Sequence, residues 1–494
     1  MIAEGLRARL GLVEDRDERH AVIDIGSNTV RLVVYGGPPR APAVLWNEKV
    51  SARLGRDLAK NGAIPASAMK EALTALARFA AIIAELKIAR VETVATAAPR
   101  EATNGPDFVH RVEELGLAVR VLSGEEEACA SAYGAIGAFP DAAGIVADLG
   151  GGSLELISIA NGACGDGASL PLGTLRLPEL RRAGGFEGAV GKLLKTADWG
   201  GSGGPMYMIG GTWRALALFA MRSAELPLTD PHGLALGCAE ALAIADEVMQ
   251  TKPARLMQRG ISTMRAEKLP DAAALLRVLI DRIKPDGLIF SSWGLREGLY
   301  YRTLAPREQA ADPLLAAVTA FAIARGGDDG AATLLARWAS ATAVTQGPAG
   351  ERLRLAAAHL ALALHRVEPN LRSAQALEWA LDKRWIGIDF SGRAMLGAAL
   401  RGSLGITEPH RALAQLASES ELHEATAWGL AYRLAQRLGA GASGPLTRSR
   451  LTVADQSVTL ALNAADAALV SGPVEKNLGT LANWLGASPA VSAE

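Results

Sequence analysis

The chain has 494 residues, 49% of them apolar and 21% charged, with a formal net charge of −1. That length holds several domains with cores of their own, and the balance excludes a disordered or low-complexity chain. The total charge names no partner, so a polyanionic ligand would need a local basic groove. The N-terminal "MIAEGLRARLGLVEDRDERH" mixes both charge signs and lacks the apolar core and cleavage site of a secretory signal; it is expected to be a loose leader. No uncharged apolar run reaches the ~18 residues of a membrane span. The three cysteines, Cys129, Cys164 and Cys238, have neither disulfide-framework nor zinc spacing, so reduced thiols in a cytoplasmic protein are expected.

In chain order, "AVIDIGSNTVRLVVYG" (21–36) reads as strand, acid (Asp24), glycine (Gly26), small polar residues (Ser27, Asn28, Thr29), then a strand carrying Arg31. "MKEALTALARFAAIIAELK" is an amphipathic helix, and "VETVATAA" and "LAVRVLS" are strands around a further helix. In "SGEEEACASAYGAIGAF", Ser123 and Glu126 have capping-box spacing ahead of an alanine-rich helix. The strand, acid and glycine plan then restarts in "VADLGGGSLELISI" (146–159). "YMIGGTWRALAL" (207–218) follows, a short strand meeting Gly210, Gly211 and Thr212 before a helix opens. Residues 1–137 and 138–303 are therefore expected to form two related α/β domains. Residues 304–440 carry helical spacing and few strand signals, "GAGASGP" reads as a flexible break, and 441–494 reads as a small α+β module.

Three consecutive glycines weaken a strand and need a positional reason. At a tight turn, the N–H groups of Gly150, Gly151 and Gly152, with Ser153 beside them, can form a concave nest for phosphate oxygens. Asp148 and Glu155 flank that nest and would repel a phosphate unless a hard cation lay between. A plain glycine hairpin with solvated acids explains the same stretch. Two facing copies could grip a phosphate from both sides, and a helix N-terminus after Gly211 would add to them.

The two acid and glycine hairpins, "SGEEEA" and "IGGT", together with "ATAAPREATNG", "SLPLGTLRL" and "SSWGLREGL", resemble the exopolyphosphatase and guanosine pentaphosphate phosphohydrolase (Ppx/GppA) family, of the actin, hexokinase and heat-shock ATPase superfamily. The resemblance covers 20 to about 303. It implies an α/β fold of two ribonuclease-H-like (actin-like ATPase) domains facing a cleft, followed by the helical domain and the α+β module. It implies hydrolysis of a terminal phosphoanhydride with Mg²⁺ or Mn²⁺, on inorganic polyphosphate or pppGpp, by a homodimer with no nucleic-acid or membrane partner. Carried over by position, Asp24, Asp148 and Glu155 stand where the family holds metal or its water shell. Glu127 stands at the general base, and Arg100 where the phosphate chain is contacted, although Pro99 departs from the usual apolar residue. Gly26, Ser27, Asn28, Thr29, Gly150, Gly151, Gly152, Ser153, Gly210, Gly211 and Thr212 are the implied phosphate-binding positions. The helical domain is similar to metal-dependent HD phosphohydrolases, yet His359 and His365 come without a His-Asp dipeptide, so a remnant without metal is expected.

The chemistry fits the resemblance. Phosphoanhydride hydrolysis needs an in-line water, a group to orient it and neutralisation of the transferred phosphoryl, with little covalent work for the protein. Glu127 also reads as a solvated carboxylate favoured at a helix start, the role expected of Glu125 and Glu126. Arg31, Arg176 and Arg214 read singly as surface or ion-paired arginines and together as a basic track. The rival readings are a sugar or acetate kinase of the same superfamily, for which nothing after "IGGT" supplies an adenine pocket, and a non-catalytic sensor of a hyperphosphorylated nucleotide, which would need no water-orienting base.

Overall fold

The computed structural model describes residues 19–56, 58–199, 203–345 and 347–493; up to residue 18, the expected leader lies outside them. The chain forms two compact units. One runs to Arg222 and resumes over Leu234–Ala311, and the other joins Ser223–Gly233 to Asp312–Glu494.

The first unit holds two mixed sheets. The strands of the first are β1 (His20–Ile25), β2 (Val30–Gly36), β3 (Ala43–Val50), β4 (Arg90–Ala95) and β5 (Val119–Val121), in the order β3-β2-β1-β4-β5. Helix α1 (Ala66–Glu85) packs its apolar stripe on one face. The second sheet contains β6 (Gly144–Leu149), β7 (Leu154–Ala160), β8 (Ala163–Leu170), β9 (Met206–Ile209), β10 (Ala235–Leu236) and β11 (Leu288–Phe290). Its order, β10-β11-β9-β6-β7-β8, repeats the first plan, because β8-β7-β6-β9-β11 corresponds to β3-β2-β1-β4-β5. In each sheet the strand bearing the loop acid pairs antiparallel with the strand after it, opposing Asp24 to Arg31 and Asp148 to Glu155.

Period-two alternation decides where those side chains go. In β1, Ala21, Ile23 and Ile25 join the core beneath α1, while Val22 joins a different cluster with Val33, Tyr35, Ala130, Leu299 and Tyr300. Asp24 shares the parity of Val22, and Arg31 that of Val33. In the second sheet Val146, Ile157 and Ile159 pack with Ala128, Ala132 and Ala135, and Asp148 and Glu155 share their parity. One helix therefore serves both sheets: α2 (Gly124–Ala138), whose N-terminus is closed by the predicted capping box. Ser123 Oγ accepts from the Glu126 N–H at 3.1 Å, and Glu126 returns a carboxylate to the Ser123 N–H at 2.8 Å. Such a cap is worth about 1 kcal/mol.

Helix α3 (Gly211–Ser223) follows β9, and α4 (Leu295–Arg302), near the end of the unit, crosses α2 backbone to backbone. A Cβ at Gly298 would lie 1.8 Å from the Ala130 carbonyl oxygen, and one at Gly134 would lie 2.4 Å from that of Gly294. Only glycine permits this approach. From that position α4 reaches the first sheet: Tyr35 Oη donates to Glu297 Oε1 at 2.7 Å, and Arg296 donates to Asp24 Oδ2 at 3.2 Å.

Three local expectations change. The strand predicted through "VETVATAA" stops at Ala95, and Ala97–Glu101 is a short helix that accommodates Pro99 in its first turn. Cys129 on α2 and Cys164 on β8 are joined by a disulfide, so the expectation of reduced thiols is corrected for this pair; Cys238 is free. Packing of α2 against β8 brings the two together across a separation of 35 residues that spacing alone does not reveal.

The second unit is helical up to its final module. Its longer helices include α5 (Pro348–Leu364), α6 (Phe390–Ser403) and α7 (Glu419–Gly439). In place of a simple break, the chain turns through Ala440 and Gly441 at positive φ, and Ser443–Thr447 forms a short helix. Strands β12 (Ser449–Ala454) and β13 (Ser457–Leu462), helix α8 (Gly472–Trp484) and β14 (Ser488–Ala493) follow; the three strands make one sheet in the order β12-β13-β14. Among the described residues, no helix is long and apolar enough to cross a membrane.

Candidate active site

A cavity of about 230 Å³ opens in the first unit where the two loops, the start of α2 and the start of α3 converge. The β1–β2 loop contributes Asp24, Gly26, Ser27, Asn28 and Thr29, and the β6–β7 loop contributes Asp148, Gly150, Gly151, Gly152, Ser153 and Glu155. Gly210, Gly211 and Thr212 at the head of α3 and Glu127 in the first turn of α2 complete the set. Of the site positions implied by the family resemblance, only Arg100 stands back from the cavity. Its Nη1 donates to Glu127 Oε2 at 3.0 Å and to the Leu122 carbonyl at 2.7 Å, so it holds the carboxylate in place.

The glycine triplet is explained by space. None of Gly150, Gly151 and Gly152 has positive φ. A Cβ on Gly152 would lie 3.0 Å from Ser27 Oγ and 3.1 Å from Ala97 Cβ, and one on Gly151 would lie 3.4 Å from Ser27 Cβ. Side chains there would wedge the two loops apart. The loop carbonyls are tied back: Ser27 and Asn28 accept from Gly55 and Arg53, and the carbonyls of 150–152 accept from 173–175. What these loops can offer an anion is therefore peptide N–H, supplemented by the N-terminal end of α3.

One wall of the cavity is acidic. Burial is the main cause raising all four carboxyl groups. Glu127 is lifted to about 7 by burial, against the Arg100 hydrogen bond and charge, with Asp148 and Asp24 adding to the rise. Asp148 is raised by burial against the hydroxyl of Ser131, which donates to its Oδ2, and Asp24 raises it further. Asp24 is raised by burial against Arg296 and Arg31. Glu155, 2% exposed, is held well above the usual range by burial, then by Glu127 and Asp148, while Ser169 donates to its Oε1 at 3.0 Å.

The same cavity has a cationic lining: Arg31, Lys49, Arg214, Arg265, Lys268 and Arg296. Burial first, then mutual repulsion, lowers Arg31 and Arg214 to about 10, and Lys49 is depressed by burial and by four of these arginines. A polyanion lying along them would relieve that repulsion. Arg296 alone is raised: burial opposes its charge, but Glu297 and Asp24 outweigh it.

Of the three arginines considered as a basic track, Arg31 and Arg214 reach the cavity, whereas Arg176 pairs with Glu101. The sequence reading did not single out Lys49, Arg265, Lys268, Arg296, Glu297 or Ser131. The segment "SSWGLREGL" was the available signal for Arg296 and Glu297; the other four are ordinary residues until the fold brings them in.

Donor chemistry for a hard cation is present, since Asp24 and Asp148 are half-buried carboxylates in one cavity and Asp24 raises Asp148. Among the described residues, no group of three or more His, Cys, Asp or Glu forms a metal cage. The site thus suits an ion that takes one or two carboxylates and fills its shell from substrate oxygens and water, the usual habit of Mg²⁺.

Residues 33–307 match the Ppx/GppA phosphatase family. Over 307 residues, 58% of this chain and 89% of the relative, the sequence is 29% identical to exopolyphosphatase 1 of Mycobacterium leprae (strain TN). It is 25% identical over 304 residues to the guanosine-5'-triphosphate,3'-diphosphate pyrophosphatase of Vibrio vulnificus (strain YJ016), covering 59% of this chain and 60% of that one. The crystal structure of the Aquifex aeolicus Ppx/GppA family member aligns with a TM-score of 0.51 at 25% identity, covering 60% of this chain and 99% of that one. The mixed α/β core with two sheets is thus of the same kind as in that structure.

Proposed function

The chain belongs to the Ppx/GppA phosphatase family, and on that premise we propose that it is an exopolyphosphatase, releasing terminal orthophosphate from inorganic polyphosphate. The observation that carries this reading is a single cavity joining two amide-rich loops, a buried carboxylate near neutrality and a cationic wall.

The loop N–H groups and the start of α3 hold the terminal phosphoryl group. Glu127, held by Arg100, orients a water for in-line attack and takes its proton. The phosphorus–oxygen bond to the next phosphate breaks, and the shortened chain leaves along Arg31, Lys49, Arg214 and Arg265. Positioning and electrostatic stabilisation are the protein's work in such a reaction. Asp24 and Asp148 would hold Mg²⁺ or Mn²⁺, with Glu155 supporting Asp148 across the strand pair. The ion would neutralise charge on the phosphoryl oxygens. The two halves of the first unit are read as ribonuclease-H-like domains facing this cleft.

The direct test is phosphate release from long polyphosphate, tripolyphosphate, pppGpp and ATP, side by side with Mg²⁺. Long polyphosphate is expected to be the best substrate; preference for pppGpp would reassign the enzyme to the nucleotide, and no release from any of them would sink the hydrolase reading. Chelation is expected to abolish turnover, and Asp148→Asn to raise the Mg²⁺ concentration needed for half-maximal rate. Turnover that survives a chelator would refute the cation's role.

A further inference from the structure

The helical unit contains a second pocket, of about 460 Å³, lined by His365 at the end of α5, Arg372, Ser403 at the end of α6, and Arg433, Gln436 and Arg437 on α7. That volume lies within the range of small-molecule sites. Its charge is one-sided. No Asp or Glu is among its described lining residues, and none of the three arginines is ion-paired with a carboxylate among the described residues.

Part of this charge has a structural use. Arg372 donates to the carbonyls of Val367 at 2.8 Å and His365 at 2.8 Å, and Arg433 donates to Asn477 Oδ1 at 2.7 Å and to the Leu404 carbonyl. Those bonds satisfy chain-end carbonyls after α5 and α6, which favour cations. They leave other guanidinium N–H groups over, and Arg437 has no hydrogen-bond or ion-pair partner among the described residues. His365 Nε2 is buried there without a partner. Burial first, then Arg372, Arg433 and Arg437, lowers this histidine to about 4, so at neutral pH it is a neutral imidazole surrounded by guanidinium charge. Three cations and an unpaired imidazole nitrogen do not suit a metal ion; they suit an anion with several acceptor oxygens.

We propose that this pocket binds a phosphate-bearing anion of two or more phosphoryl groups, its oxygens received by Arg437 and by the remaining N–H groups of Arg372 and Arg433, with His365 Nε2 donating from the floor. The site lies wholly in the helical unit and shares no residue with the cavity of the first unit. It gives His365, though not His359, of the expected metal-free remnant a binding role, one that does not depend on the reaction assigned to the other site.

The test uses the full chain, with EDTA present to prevent turnover, titrated calorimetrically with pyrophosphate. Arg437 is exposed and bonded to nothing that holds the fold, so Arg437→Glu is expected to keep the melting temperature while weakening one component of binding by about tenfold or more, the scale of a charge-assisted contact. Arg437→Lys should keep most of that component, and Glu127→Gln all of it. Phosphate release from tripolyphosphate by Arg437→Glu should equal that of the wild type when the anion probe is absent. GDP in place of pyrophosphate sorts the source: equal binding means that the phosphates alone are read, and tighter binding means a nucleotide. A titration of Arg437→Glu superimposable on that of the wild type would overturn the proposal.

Discussion

Glu127→Gln is expected to reduce phosphate release by about 10²-fold or more while leaving polyphosphate binding nearly unchanged. The amide keeps the size and the Arg100 contact of the side chain but cannot take a proton from water. Its effect therefore falls on kcat, because the loops and the cationic wall that hold the substrate are untouched. The pH profile gives a second readout. With Glu127 lifted to about 7 by burial, the competent carboxylate form fills as pH rises through that value, so wild-type activity should climb toward a plateau above it. The residual activity of the variant should lack this limb. Wild-type rates in Glu127→Gln, or the same acid limb in both proteins, would remove Glu127 from the mechanism.

Gly298→Ala is expected to destabilise the protein by about 3 kcal/mol, at the high end of overpacking substitutions. One added methyl would sit 1.8 Å from the Ala130 carbonyl oxygen and 2.6 Å from the Gly134 nitrogen, both backbone atoms of a buried helix that cannot turn aside as a side chain can. The two helices must separate. Since α2 carries Glu127 and Ser131 while α4 carries Arg296 and Glu297, activity should fall with stability even though no reacting group is altered. Denaturant midpoints and phosphate release measured on the same preparations check both parts. A midpoint within experimental error of the wild type would mean that the crossing is looser than the backbone distances require.

Much of the site was legible because its chemistry is local. An acid, glycines and small polar residues between two strands form a loop from about ten consecutive residues, and the capping box fixes where α2 starts. Strand parity then carried Asp24, Asp148 and Glu155 to faces that meet α2. Most of the cationic wall was not legible for the converse reason. Beyond Arg31 and Arg214, which read as part of a basic track, Lys49, Arg265 and Arg296 come from three separate segments, and each is an unremarked surface-type residue until the fold brings it in. The disulfide was hidden likewise, because a helix residue and an edge-strand residue have no shared spacing rule. Ser223–Gly233 lies in sequence inside the second α/β region but packs with the helical unit, where Asp230 pairs with Arg384; no composition shift marks that excursion.

The hydrogen bond from Arg296 to Asp24 spans 272 positions, and the one from Tyr35 to Glu297 spans 262. On the ribosome, the first sheet is complete once β5 has emerged, and such a unit can fold during synthesis. At that stage its loop acid has neither its guanidinium partner nor α4 beside it. Competence to hold a phosphate chain therefore arrives late, when α4 docks, and a half-made chain has no finished anion site with which to capture a polyanion in the cell.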